Sequence, residues 1–278
     1  MPARHRRPRG FTLVELVTVI VLLGVIAGIL TPFIAKAMQA YVASEARAAL
    51  VAKGRLALER LAREVRLAVP NSLSVTGGGT GIEFLRARAG GRYVAHFDDF
   101  GSEFSRTDRR FRKNASLTSL YVAETALSYA AGDLLVIANT SPAALQAGDT
   151  VTAITGISVT SVATDGTDNG QILSLAAQQF SVESPGRHFS IADRTIEVGL
   201  GGGVLRWLSS AGMADYDGAA DWSATDPALV DGVSTVNFTY APGTPQSTGV
   251  LRVDLRLSDA TAGESIRLYR EIHMRNTP

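Results

Sequence analysis

The chain has 278 residues, a formal net charge of +1 at pH 7 and no cysteine. No disulfide and no thiol chemistry is available to it, and the charge balance gives no global pull toward nucleic acid or acidic partners. With 46% hydrophobic residues there is material for a sizeable core, but the longest apolar stretch lies near the N-terminus.

The chain begins with a basic stub, Arg4, His5, Arg6, Arg7 and Arg9, that stops at Gly10. From Phe11 to Ala35 the residues are apolar or uncharged except for Glu15. A spanning helix needs roughly 20 such residues. A secretory signal also starts basic and continues apolar, but its small-residue cleavage site follows the apolar run, and this run exceeds the usual length. A plain anchor accounts for the length and for arginines left on the cytoplasmic side. It leaves Glu15 unexplained, because a carboxylate in a spanning segment is costly unless something pairs with it. Cleavage after Gly10 would supply the partner: a new amine on Phe11, one helical turn from Glu15.

Gly24, Gly28 and Pro32 recur every four residues and so share one helical face. Such a stripe suits close packing between membrane helices. Pro32 has no N–H for the carbonyl of Gly28, which predicts a kinked or loosened helix there. The helix is expected to continue to Val69, because Leu50, Gly54, Ala57 or Leu58, Leu61, Val65 and Ala68 mark one buried face. Its other side is charged, with Arg55–Glu59, Glu59–Arg63 and Arg60–Glu64 as four-apart pairs. Pro70-Asn71-Ser72 then stops it.

After Ser72 the sequence reads as mainly β. Strands are predicted within Gly81–Arg86, Tyr93–Phe97, Asp133–Asn139, Thr150–Ile154, Ile172–Leu175, His188–Val198 and Val204–Leu208. Val233–Tyr240 places Val236, Phe238 and Tyr240 on one side. Val250–Leu257 alternates apolar and charged residues, as a half-buried antiparallel strand does. A turn at Ser258–Gly263 and a return over Glu264–Met274, through Ile266, Leu268 and Tyr269, complete a hairpin. The glycine clusters at 76–81, 164–170 and 199–203 read as turns, since a phosphate cradle needs a helix start after them. Residues 98–132 are expected to be the least regular part.

Little in the sequence organises catalysis. His5, His96, His188 and His273 are scattered, and no nucleophile elbow or metal motif gathers the Ser and Asp residues. The expectation is therefore no enzyme, no catalytic residue and no obligatory cofactor. Asp215, Asp217 and Asp221 surround Gly218 as a calcium loop might be arranged, but the rest of an EF-hand is missing and plain acidic turns are the simpler reading. Asp165 to Asn169 is a poorer version of the same pattern. The tract Phe104–Lys113 mixes aromatics with arginines, a combination that grips single-stranded nucleic acid in some proteins and is more commonly a solvated loop or a contact with an acidic neighbour. Trp207 and Trp222 are read as packing residues.

The run Gly10-Phe11-Thr12-Leu13-Val14-Glu15-Leu16 resembles the class III signal of type IV pilins and of the pseudopilins of type II secretion. That resemblance implies cleavage between Gly10 and Phe11 by a prepilin peptidase, N-methylation of Phe11, and pairing of Glu15 with the N-terminal amine of a neighbouring subunit. It assigns Pro32 to a stretch that loses helical order on assembly. It implies an α+β, pilin-like fold: a leader over 1–10, a transmembrane and filament-core helix over 11–35, an amphipathic half over 36–70, and a mainly antiparallel β domain over 71–278. The protein would sit in the inner membrane with a periplasmic C-terminal domain and then enter a pilus or pseudopilus. Its partners would be the peptidase, other pilin subunits and the inner-membrane assembly platform. The helix ending Leu61–Ser72, Ser184–Phe189, Val236–Tyr240 and His273–Pro278 are similar to minor pilins of the mannose-sensitive haemagglutinin (MSHA) biogenesis system, most like its O-type member. A J-like minor pseudopilin and a tip adhesin or DNA-binding pilin are the alternatives that the resemblance leaves open. Calcium binding in some pseudopilins keeps the acidic turn in view.

Overall fold

The computed structural model describes residues 11–95, 111–122, 126–127, 129–161, 169–243 and 248–274. One helix, α1 (Leu13–Val65, 53 residues), runs at about 1.5 Å per residue for roughly 80 Å. Its buried residues are Leu50, Gly54, Ala57, Leu58, Leu61, Ala62 and Val65, so the apolar face expected from the three-and-four spacing is the face that packs.

The helix stops four residues earlier than the sequence predicts. Arg66, Leu67 and Ala68 donate to carbonyls in the last turn, and the chain is then drawn onto a strand, with Val69 N–H donating to Leu85 O (2.8 Å) and Ala87 N–H to Leu67 O (2.6 Å). Sheet hydrogen bonds replace helical ones before Pro70 is reached. Asn71 follows in the left-handed region at φ 56°, a conformation Asn tolerates better than most residues.

The strands are β1 (Ser74–Thr76), β2 (Gly81–Arg92), β3 (Ser116–Val122), β4 (Leu134–Ile137), β5 (Val151–Ser161), β6 (Asn169–Gln179), β7 (His188–Gly201), β8 (Val204–Ala211), β9 (Ala228–Asp231), β10 (Val233–Ala241), β11 (Gly249–Asp259) and β12 (Glu264–Met274). A short helix, α2 (Pro142–Gln146), starts at a Ser141 cap. Every pairing is antiparallel. One sheet runs β1-β2-β7-β4-β5-β6-β3, with β8 and β9 extending from β7; the other is β10-β11-β12. The fold is the expected α+β arrangement of one long N-terminal helix on an antiparallel β domain.

Several sequence expectations need correction. Tyr93 makes only an isolated bridge to Val122, so no strand covers the described part of Tyr93–Phe97. The stretch expected to be least regular contains β3, whose alternation is broken by a register shift between Leu117 and Ser119. β1, β9 and α2 were too short to signal themselves. In β12, Ile266 and Leu268 pack against the core, whereas Tyr269 faces solvent at 59% exposure and its hydroxyl donates to Glu271.

The main core encloses the second half of α1 between β10-β11-β12 and the strands β2, β7 and β8, through Leu61, Phe84, Val198, Trp207, Phe238, Val253 and Leu255. A second cluster, with Leu120, Leu135, Leu173 and Phe180, sits under β3 to β6. Gly54 is small for a reason: a Cβ there would press into Leu268 and Leu257. None of the three expected pairs along the helix forms an ion pair among the described residues. Of their members, Arg60 lies over Trp207 (4.9 Å to the ring centroid) and Glu64 lies 3.9 Å from Arg86 of β2; elsewhere on the helix Arg47 pairs with Glu264 (2.8 Å) and Lys53 with Asp231 (3.0 Å).

Candidate functional site

The N-terminal half of α1 is where geometry and sequence converge. Thr12 is extended (φ −83°, ψ 151°) and its hydroxyl accepts the N–H of Glu15 at 3.2 Å, while Leu16 N–H donates to Thr12 O at 3.1 Å. This is the first half of a Thr-x-x-Glu capping box, the helix start that such a spacing favours. The Thr12 cap went unread in the sequence, although the spacing was visible. Glu15 therefore stands in the first turn, where the helix dipole favours a negative charge. Phe11 lies just before the cap, 78% exposed, so an amine created there would sit beside the same end of the helix.

Every residue from Phe11 to Val42 is exposed. A largely apolar surface of this extent, with Glu15 and Lys36 its charges, is far more than a soluble monomer leaves bare, and α1 is long and apolar enough to cross a membrane. Its two threonine hydroxyls are satisfied within the helix: Thr18 donates to Val14 O (2.8 Å) and Thr31 to Ala27 O (2.6 Å). A helix in lipid must meet its polar groups internally in this way.

Pro32 lies inside α1 in the isolated chain. The helix continues on both sides of it, with the carbonyl of Gly28 left without an N–H from position 32. Nothing lies within 4 Å of a Cβ placed on Gly24 or Gly28, so that small-residue face is open. Gly10, and with it the bond expected to be cut, lies outside the described residues, as do His96 and most of Phe104–Lys113. Of that basic tract, Phe111 is described and is buried, its ring 4.8 Å from Tyr93 and 5.9 Å from Phe180; it is a core residue and no stacking platform.

The acidic turn is built differently from a cation loop. Asp215 accepts from the Ser210 hydroxyl, and Asp217 accepts the N–H of Ala219 at 2.7 Å. Asp221 is exposed, and among the described residues no group of three His, Cys, Asp or Glu side chains is arranged to hold a metal. The turn is instead held by two carboxylates the sequence did not single out. Glu83 accepts the N–H groups of Asp217 (3.1 Å) and Gly218 (3.0 Å), and Glu197 accepts that of Asp221 (3.0 Å). Both glutamates are buried. Each follows an isoleucine packed toward α1 and so lies on the opposite face of the sheet, which the 212–227 connection covers.

Residues 5–31 match the family model described as the prokaryotic N-terminal methylation motif. That motif, leading into a capped apolar helix mounted on an antiparallel β domain, supports a type IV pilin-like protein. It implies processing by a prepilin peptidase and assembly with other pilins, and the single apolar helix fits membrane anchoring. No curated protein and no solved structure matches the chain.

Proposed function

We propose that this chain is a prepilin cut between Gly10 and Phe11, N-methylated on Phe11, and assembled as a minor subunit that initiates or caps an MSHA-type pilus. The observation that carries this reading is the pairing of the methylation motif with 32 residues, Phe11 to Val42, that the folded monomer leaves entirely exposed. First the bilayer and then neighbouring helices would cover them, with the β domain on the periplasmic side. The role is structural and needs no catalytic group.

Glu15 has a defined part in this scheme. In the bilayer edge its charge is tolerated by the helix N-terminus and nearby water. Inside a bundle of apolar helices it requires a counter-charge, and the methylated amine of an adjacent subunit's Phe11 supplies one. Removing one member of a buried pair costs about 3–5 kcal/mol, because the other is left uncompensated. Glu15→Gln is therefore expected to be inserted and cleaved normally but to enter filaments poorly.

The test is co-expression with a prepilin peptidase followed by mass spectrometry. A mature chain beginning at N-methylated Phe11 is the expected product; an N-terminus beyond Ala35 would refute the reading. Counting filaments, and this subunit within them, in Glu15→Gln cells then checks the assembly step.

A further inference from the structure

Glu83 on β2 and Glu197 on β7 are register partners. Side chains at such positions lie about 4.5–5.5 Å apart at their Cβ atoms, and like charges there repel. Their side chains are fully buried, at 0% and 1% exposure, on the sheet face turned away from α1. Among the described residues neither takes part in an ion pair. What they hold instead is backbone. Asp217, Gly218 and Asp221 donate their N–H groups to the two carboxylates, and Trp222 N–H also favours Glu197.

Apart from these bonds and the packing of Trp222, the held segment is open to solvent. Asp217 to Asp221 are all exposed. On one side the chain is pinned by Tyr216, whose buried hydroxyl donates to Ser72 O; on the other, the Arg206 guanidinium donates to Asp226 O at 2.8 Å. Between these pins Trp222 lies across Gly199 and Gly201 of β7, where a Cβ on either glycine would meet the indole. The segment is a flap hinged at both ends and fastened in the middle by two glutamates.

We propose that Glu83 and Glu197 form a proton-operated latch that holds the 217–222 flap on the sheet when protonated and loosens it when both are ionised. The groups facing the pair are nearly all acidic or neutral. The flap contributes Asp217 and Asp221, the residues leading into it contribute Asp215 and Tyr216, and β1 contributes the Ser74 hydroxyl, 3.4 Å from Glu83. On β8, Leu208 stands opposite Glu197 and Arg206 opposite Gly199, with the Arg206 Nη1 donating to Asp226 O.

Burial pushes Glu83 up to about 7, against the pull of the Gly218 and Asp217 N–H groups and with the help of the Asp217 and Glu197 charges. Burial likewise pushes Glu197 up to about 7, opposed by the Asp221 and Trp222 N–H groups and reinforced by Asp221 and Asp215. Both start from 4.5. A raised acid binds more protons in the docked state than in the released one, so docking is fully supported below about 4.5. That support is lost as pH rises through about 7.

The experiment is hydrogen exchange on the full chain in detergent, following amides 217–222 between pH 5.5 and 8.5 after correction for intrinsic exchange. Protection is expected to fall on the order of tenfold or more per carboxylate across that range, because a carboxyl that keeps its proton only when docked weakens docking about tenfold for each step of one in pH. In E83Q/E197Q, which keeps shape without charge, the protection should stay at its acid level throughout. Equal protection at both pH values in the wild type, or an unchanged pH dependence in the double variant, overturns the latch. E197Q alone provides a check if the double variant folds poorly: it should move the remaining midpoint downward, and an unmoved midpoint also overturns the proposal.

Discussion

The two halves of α1 obey opposite rules. The first half is the more apolar and buries nothing, while the second is studded with charges and supplies the helix's share of the main core. Within a monomer the hydrophobic effect would place them the other way round. The contrast shows that the first half's burial partner is outside the folded chain, and that the second half is fixed by the β domain wrapped around it. Charge does little to oppose this in the second half, because most of its charged residues face water or reach outward to Glu264 and Asp231, and the half-buried Glu64 lies 3.9 Å from Arg86.

The largest test of that contrast is truncation of one leucine in each half. Leu61 is completely buried among core residues, so Leu61→Ala should destabilise the β domain by about 2–5 kcal/mol. Leu23, 59% exposed, should tolerate Leu23→Ala with the domain's melting temperature unchanged. Thermal unfolding of both variants in detergent decides it, and similar losses from the two would mean that the halves are not independent.

Glycine gives a subtler comparison. Adding a methyl group to a helix interior contributes up to about 1 kcal/mol of helix propensity. At Gly28 there is open space, and Gly28→Ala should realise that gain in helix stability without touching the domain. At Gly54 the same methyl meets Leu268 and Leu257, and overpacking costs about 1–3 kcal/mol. Gly54→Ala should therefore lower the unfolding midpoint, where Gly28→Ala leaves it in place.

The smallest effect belongs to the ion pairs that tie the helix to the strands. Lys53 and Asp231 are both more than half exposed, and such pairs are worth about 0–1 kcal/mol. Lys53→Met should shift denaturant midpoints barely at all, and what shift there is should shrink further in high salt. A large loss would give the charged side of α1 a structural role beyond solvation.

The sequence by itself determined the parts whose signals are local and repeated. The apolar run with its lone Glu15 announced a membrane-spanning helix, and the three-and-four spacing from Leu50 to Val65 named the buried face apart from Ala62. The closing hairpin was legible because β11 alternates from Leu251 to Leu257 and β12 keeps Ile266, Leu268, Ile272 and Met274 on one face, and the register from Gly249–Met274 to Asp259–Glu264 follows that pattern. Tertiary structure decided the rest. It ended α1 at Val65, because β2 offered Leu67 and Val69 hydrogen bonds that no local pattern reveals. It hid β3 behind a bulge and gave the charges of α1 partners far away in sequence. It also made Glu83 and Glu197 a buried pair, since a strand's alternation tells which residues share a face but not whether a distant loop will cover it.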